Sequence, residues 1–337
     1  MRDILPNSGL NLIEREEIAA IIHKIVRWKR WYEFLMDYYG IEKIAENYVK
    51  IAEGKIKVDE KGAEKTIPDE KYIAIRYSFS DFLASFLKDK PDFIEHLNKE
   101  ARTTLCINLN KISRERAIEW LEKEGIKAWE GNMETAIYAE SRARYSALIK
   151  KGYAHVQDES SQLISKIVAK RGTRILDYCA GNGGKSLAMA SITKNNASIY
   201  ANDVDKRRLD NLKKRAEQYE ASIKIMENDG KFDAVLVDAP CTGVGAARRN
   251  PEAKYVSGYG DFPQKQADII KKAWEFVDDG GYLIYSICSF LPDETEAIDK
   301  IDGMPVMLDS KWLREYGNGY ITWMPEGDIL FIAIKKK

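Results

Sequence analysis

The sequence predicts a doubly wound α/β domain, preceded by a small α+β unit and by an all-helical domain. From Gln157 onward, short apolar runs alternate with helical stretches, as expected for a parallel sheet with crossover helices. The first hundred residues show apolar side chains at helical spacing instead. The chain has 337 residues, and a single core stops growing at roughly 250–300 residues. We therefore expect a helical domain at 1–100, an α+β unit at 101–150 and a catalytic domain at 151–337.

The composition is that of a folded protein, with 45% hydrophobic and 31% charged residues. Lys+Arg and Asp+Glu both total 53, so net charge indicates no polyanionic partner but allows a local basic groove. Because no apolar run approaches the roughly 20 residues that span a bilayer, and the start of the chain lacks a signal peptide's apolar core, we expect a cytoplasmic protein without a membrane partner. Its default state is a monomer.

The helical domain is predicted from two amphipathic patterns. Apolar residues between Ile18 and Val26 indicate one helix, and those between Ile41 and Ala52 indicate a second that ends before Gly54. The polar stretch Gly54–Asp69 is predicted to be a loop, and a third helix around Phe82–Leu87 is expected to stop before Pro91.

After residue 100, predicted strands alternate with predicted helices. In the α+β unit, TTLCINLN and Thr135–Ser141 are predicted strands that flank a helix at Ser113–Glu124. In the catalytic domain, TRILDYC, SIYANDV, SIKIME and FDAVLVDAP are predicted strands, followed by GGYLIYSIC and DILFIAIKKK. Crossover helices are expected at Lys185–Thr193, Lys206–Glu217 and Gln264–Val277. Such sheets bind ligands at the carboxyl ends of their strands.

A glycine-rich loop, Asp177–Ser186, connects the first of these strands to its helix. A phosphate-binding P-loop requires glycine where Cys179 stands, which argues against a nucleotide triphosphatase. A dinucleotide site requires a third glycine where Ser186 stands, so that interpretation is weakened but stays open, as does a purely structural turn. Asp203 and Asp229 follow the next two strands. Acids there either cap helices or line an adenosine pocket.

The four cysteines are too few for a disulfide scaffold and match no paired metal-ligand spacing, so free thiols and no metal are expected. Cys106 and Cys179 have the character of buried small hydrophobic residues. Cys241 and Cys288 instead follow apolar strands at the carboxyl edge, where topology can bring them together. A thiolate in that position would be a nucleophile.

Five stretches resemble the Sun (Fmu-type) RNA cytosine-5 methyltransferase family. The residues that carry this resemblance are His155–Gln162, Asp238–Gly243, Arg248–Glu252, Tyr285–Ser289 and Pro292–Glu296. These stretches follow the family's order, and the resemblance extends from about Arg102 to the C-terminus, about 70% of the chain. The pattern is closest to the small-subunit rRNA enzymes. Asn182 and Ile287 depart from it, standing where the family usually has proline and threonine.

The resemblance implies a Rossmann-like class I methyltransferase sheet, a cofactor and roles for several residues. The implied cofactor is S-adenosylmethionine. Cys288 would attack carbon 6 of cytosine, Cys241 would assist release, and Asp238 would hold the base, with Lys185 contacting the site. The implied cofactor-binding residues are Cys179, Ala180, Gly181, Asn182, Gly183, Gly184, Lys185, Asp203, Asp229 and Asp238.

The resemblance implies RNA as the partner, and single-stranded or loop RNA is the easiest substrate because a base must leave its stack before a thiol can attack it. Arg248 and Arg249 are the predicted RNA contacts, whereas the basic helix around Lys206–Arg215 is more simply a solvated face. Ribosomal RNA is the favoured substrate; a tRNA cytosine-5 methyltransferase and a non-catalytic RNA-binding assembly factor are the alternatives. A DNA cytosine methyltransferase typically lacks the second thiol. By analogy, residues 1–100 are an accessory domain, for which RNA binding is one option.

Overall fold

The computed structural model describes residues 8–227 and 230–337. These residues form two compact units. The first contains the described residues up to Glu100 together with Ala246–Gly258, and the second contains Ala101–Gly245 and Tyr259–Lys337. The sequence analysis placed residues 246–258 with the catalytic domain, but they pack with the helical unit.

The first unit is helical, as predicted. Its helices are α1 (Leu12–Arg27), α2 (Lys29–Tyr39), α3 (Ala45–Ala52), α4 (Glu60–Glu64), α5 (Tyr72–Arg76), α6 (Asp81–Leu87) and α7 (Pro91–Asn98). The Asn11 side chain and Glu14 form a capping box at the start of α1. The predicted loop Gly54–Asp69 is wrong in part, because Asp59 caps α4 inside it. Proline begins α7, where its missing N–H costs no hydrogen bond.

Buried cations tie residues 246–258 to these helices. The Lys254 ammonium donates to the Arg27 carbonyl at 2.5 Å and to Asn98 Oδ1 at 2.7 Å. Burial, which is the largest cause, and the nearby Arg27 charge lower the pKa of Lys254 well below its usual value. The Ser80 amide donates to the Lys254 carbonyl at 2.8 Å. The segment is therefore an integral part of the helical unit.

The second unit begins with a four-stranded antiparallel sheet. The elements of this region are β1 (Thr103–Ile107), α8 (Arg114–Lys123), β2 (Ala128–Glu130), β3 (Ala136–Ala139), α9 (Ala147–Lys150) and β4 (Ala154–Val156). The strand order in the sheet is β2-β3-β1-β4. The two predicted strands and the predicted helix are confirmed. The expected boundary at residue 150 is too early, because β4 pairs with β1 and completes this sheet.

A mixed sheet of nine strands forms the rest of the unit. Its elements are α10 (Glu159–Ala169), β5 (Arg174–Asp177), α11 (Gly184–Ile192), β6 (Ser198–Ala201), α12 (Lys206–Tyr219), β7 (Ile223–Ile225), β8 (Phe232–Asp238), α13 (Phe262–Glu275), β9 (Val277–Ile287), α14 (Pro292–Thr295), β10 (Met304–Pro305), β11 (Leu313–Tyr316), β12 (Gly319–Thr322) and β13 (Phe331–Lys336). The order is β11-β12-β13-β9-β8-β5-β6-β7, with β10 paired to β13. Strands β5 to β9 are parallel to their neighbours in this set, as predicted.

The central strands β5, β8 and β13 are mostly buried on both faces, which fits their continuous apolar runs. Residues from β5, β6, β8 and β9 pack with α10 and α11 in one apolar core. The antiparallel β11–β12 hairpin was not predicted, because each strand is only four residues long and β11 has two charged residues, Arg314 and Glu315, at its exposed positions. Within the described part of the chain, no helix is long and apolar enough to cross a membrane.

Candidate active site

The glycine loop between β5 and α11 adopts a conformation that requires its glycines. Gly181 and Gly183 have φ angles of 56° and 81°, which side chains other than glycine rarely adopt. A Cβ atom on Gly183 would lie 2.6 Å from Cγ of Leu212, so a larger residue would also push α12 away. The loop thus opens directly onto the first turn of α11, whose free amides can bind a ligand.

Asp203 holds this loop in place from the end of β6. Its Oδ2 accepts a hydrogen bond from the Gly181 amide at 2.8 Å, and its Oδ1 accepts one from the Asp205 amide at 2.9 Å. The predicted acid is therefore beside the glycine loop and braces it. Asp229, the second predicted acid, lies outside the described residues.

Asp177, at the end of β5, is an ionisable residue of the site that the sequence analysis did not single out. Its side chain is almost completely buried, with 1% exposure, and the Ser186 hydroxyl donates to its Oδ2 at 2.6 Å. Burial raises the pKa of Asp177 to about 7, and the negative charges of Asp238 and Asp203 act in the same direction. A strand-end aspartate before a glycine loop is a visible signal, but its burial is not.

Lys185 and Asp238 form an ion pair across the carboxyl edge of the sheet. The ammonium of Lys185, from the first turn of α11, donates to Asp238 Oδ2 at 2.5 Å. The lysine side chain is 11% exposed and the aspartate side chain 32%. Burial acts to lower the pKa of Lys185, but the Asp238 carboxylate outweighs it and the pKa is raised. The lysine is thus a fixed cation, and the aspartate remains accessible.

The two predicted reactive thiols meet. Because β8 and β9 are parallel neighbours with Asp238 opposite Ser286, the turns that follow them bring Cys241 Sγ and Cys288 Sγ to 3.1 Å. The hydrogen bond to Cys288, followed by burial, raises the pKa of Cys241 well above its usual value. The two thiols thus share one hydrogen bond, in which either sulfur can be the donor.

The other cysteines are inert. All four cysteines are free, and Cys106 is fully buried. Burial raises the pKa of Cys106 to about 12. Burial, together with the charges of Asp177, Asp238 and Asp203, likewise raises the pKa of Cys179, so this loop residue offers a neutral thiol.

The predicted RNA contacts lie in the first unit. Arg248 is 1% exposed, its guanidinium donates to the Glu100 carbonyl at 3.5 Å, and Arg27 donates to the Arg248 carbonyl at 2.8 Å. Burial does not support an RNA contact by Arg248, which packs inside its unit. Arg249 is half-buried and stays a predicted contact.

The loop and its acids fit the cofactor that the sequence implies. S-adenosylmethionine carries a positively charged sulfonium, which suits an edge where Asp203 and Asp238 present their carboxyl groups. Its ribose and carboxylate require acceptors and amide donors, which Asp203 and the α11 N-terminus can supply. No acidic residue occupies the first turn of α11. Among the described residues, no group of three or more metal-ligating side chains could hold a metal ion.

Residues 166–303 match the family described as 16S rRNA methyltransferase RsmB/F. This part of the chain is therefore similar to the RsmB/F methyltransferase family. The match contains the glycine loop, the ion pair, both thiols and the residues after Cys288. Ribosomal RNA small subunit methyltransferase B of Proteus mirabilis is 32% identical over 218 residues, which cover 60% of this chain and 51% of that protein. The chain thus spans about half the length of this curated RsmB/F relative.

Solved structures confirm the fold. PH0851 superposes with a TM-score of 0.80 at 20% identity, covering 98% of this chain and 92% of that chain. A methyltransferase homolog protein from Pyrococcus horikoshii gives a TM-score of 0.65 at 22% identity, with 80% and 99% coverage. The predicted class I methyltransferase sheet of the RsmB/F segment, with a helical region before it, is therefore confirmed.

Proposed function

We propose that the chain is an RNA (cytosine-5)-methyltransferase that modifies small-subunit ribosomal RNA through a covalent cysteine adduct. The observation that carries the proposal is the pair of thiols, Cys241 and Cys288, with sulfur atoms 3.1 Å apart at the carboxyl edge of the sheet. The family description and the name of the Proteus mirabilis relative favour ribosomal RNA as substrate. The proposal includes a cytoplasmic location and a monomeric enzyme.

Cytosine carbon 5 is too weak a nucleophile to take a methyl group unaided, and a thiol adjacent to the base removes this obstacle. The Cys288 sulfur adds to carbon 6, which makes carbon 5 the nucleophilic end of an enamine. S-adenosylmethionine, when bound, supplies the methyl group that carbon 5 takes up. Cys288 suits this step because its free, half-buried sulfur lies at the carboxyl edge of the sheet, 3.1 Å from the Cys241 sulfur.

Asp238 contacts the cytosine during this addition, and Lys185 holds Asp238 in position. One oxygen of Asp238 is held by the lysine, and the exposed part of the carboxyl group can contact the cytosine edge. In this position Asp238 favours protonation of the ring nitrogen, which offsets the charge that the ring gains when the thiolate adds. The buried cation also fixes the carboxylate, so no reorganisation is needed at the moment of reaction.

Cys241 acts in the second half of the reaction. It assists transfer of the carbon 5 proton to solvent water, and the electrons of the broken C–H bond restore the double bond between carbons 5 and 6. The bond between Cys288 and carbon 6 then breaks, and the electron pair returns to the sulfur. Each thiol thus has a separate step, which explains why two are placed together.

The test is methyl transfer to defined nucleic acids. The chain, with radiolabelled S-adenosylmethionine, is incubated with unmodified small-subunit rRNA, with tRNA or with duplex DNA, and the digested products are identified by mass spectrometry. We expect 5-methylcytidine in the rRNA. Equal labelling of duplex DNA, or labelling of another base, would contradict the proposal, and 5-methylcytidine in tRNA alone would make this a tRNA modification enzyme. RNA retention without cofactor binding in calorimetry would indicate a non-catalytic assembly factor.

A further inference from the structure

The thiols lie on turns that extend beyond the strands. The β8–β9 ladder ends with Asp238 opposite Ser286, and both cysteines follow it. Two backbone hydrogen bonds continue the contact: the Ala239 amide donates to the Ser286 carbonyl, and the Gly245 amide donates to the Cys288 carbonyl, each at 3.0 Å. These two hydrogen bonds join backbone atoms and do not contact either cysteine side chain, so other residues must orient the thiols.

One buried carboxylate binds both turns next to the thiols. Glu294 in α14 is fully buried. Its Oε1 accepts from the Thr242 amide at 2.8 Å and from Gln266 Nε2 at 3.1 Å. Its Oε2 accepts from the Thr242 hydroxyl at 2.6 Å and from the Ser289 hydroxyl. Thr242 directly follows Cys241 and Ser289 directly follows Cys288, so one side chain joins the two turns.

We infer that Glu294 is the positioning residue that holds the two thiols at working distance; this inference rests on the proposed function. All four contacts place a donor on a carboxylate oxygen, which is the arrangement that an ionised carboxylate satisfies best. The carboxylate is itself fixed, because Gln266 Nε2 also donates to the Pro240 carbonyl at 2.9 Å. The Tyr285 hydroxyl donates to the backbone carbonyl of Glu294 at 2.8 Å.

The consequence is geometric. Without the carboxylate, the Thr242 and Ser289 donors lose their common acceptor, and the two turns can move apart or rotate. Displacements near 1 Å between reacting groups are enough to cost about a hundredfold in rate. Glu294 contacts neither the glycine loop nor the Lys185–Asp238 pair in the described hydrogen bonds, so its loss should change thiol geometry and spare cofactor binding.

The experiment measures the rate at which Cys241 and Cys288 form a disulfide. Diamide, an azo oxidant, closes a disulfide: the two thiols lose two protons and two electrons, which reduce its N=N bond to a hydrazine. Peptide mass mapping follows the Cys241–Cys288 crosslink over time, with no RNA or cofactor present. We expect Glu294→Ala to slow closure about tenfold or more. Glu296→Ala, an exposed neighbour in the chain, should close at the wild-type rate.

Milder variants keep the test decisive if Glu294→Ala does not fold. Thr242→Val and Ser289→Ala each remove one hydroxyl donor, and both should slow closure by a smaller factor. Glu294→Gln keeps an acceptor oxygen and should restore part of the rate. Wild-type closure in a folded Glu294→Ala, or in both hydroxyl variants, would overturn the inference.

A second measurement separates positioning from general damage. The dissociation constant for S-adenosylmethionine should be unchanged in Glu294→Ala, while formation of the protein–RNA adduct slows. A loss of cofactor affinity equal to the loss of rate would contradict a positioning role. Disulfide closure needs neither RNA nor cofactor. If closure depends on Glu294 but the chain methylates no RNA, only the proposed function is rejected. Methylation with closure independent of Glu294 would reject only this inference.

Discussion

Replacing Asp177 with asparagine tests the charge arrangement of the glycine loop through the pH dependence of stability. The carboxyl group is buried, and burial raises its pKa from 3.8 to about 7. The Ser186 hydroxyl is its hydrogen-bond donor at 2.6 Å. Asparagine has nearly the same shape and can accept the same bond, but it does not titrate.

The sign and size of the effect follow from proton linkage. Between pH 3.8 and about 7, the folded protein holds a proton on Asp177 that the unfolded chain has released. The free energy of unfolding therefore falls as pH rises through this window and is level above it. One pKa unit corresponds to about 1.4 kcal/mol, so the ionised Asp177 lowers the free energy of unfolding by about 4 kcal/mol above pH 7, relative to pH values below 3.8. From pH 5 to pH 8 its contribution is about 2–3 kcal/mol.

The assay compares wild type with Asp177→Asn by urea unfolding at both pH values. Any effect of the amide that does not depend on pH is the same at both pH values and cancels. Relative to wild type, the variant should therefore gain about 2–3 kcal/mol in unfolding free energy between pH 5 and pH 8. Asp302→Asn, at an exposed position, reports the effect of removing a surface carboxylate. Parallel pH profiles for wild type and Asp177→Asn would refute the reasoning.

Three further predictions concern the thiols, the cofactor and the turn. After incubation with RNA and cofactor, Cys241→Ala should show a slow-migrating protein–RNA band on a denaturing gel and Cys288→Ala none; the reverse would exchange their roles. Asp203→Ala should weaken S-adenosylmethionine binding in calorimetry by about ten- to a hundredfold, because the loop loses its acceptor; an unchanged affinity would place the pocket elsewhere. Gly245→Ala would put Cβ 1.9 Å from a backbone oxygen and should cost about 1–3 kcal/mol in urea unfolding, whereas Gly258→Ala meets open space; equal stability would contradict this crowding.

The sheet could be predicted because its strands and helices are local patterns. The three predicted crossover helices match α11, α12 and α13 to within a few residues. Apolar runs bounded by glycine, proline and polar residues are sufficient signals for buried parallel strands. The pattern fails where elements are only four or five residues long, as in α4 and the β11–β12 hairpin, since packing against the rest of the unit stabilises them.

The sequence by itself determined which chemical groups this protein presents at one edge of its sheet: a glycine loop, acids and two thiols after apolar strands. Only the tertiary structure decided how these groups act. Burial decides the pKa of Asp177 and removes Arg248 from any surface, and neither is visible in residue type. The carboxylate of Glu294 meets Thr242, 52 positions away in the chain. Such effects depend on distance and desolvation in space, which local sequence patterns do not encode.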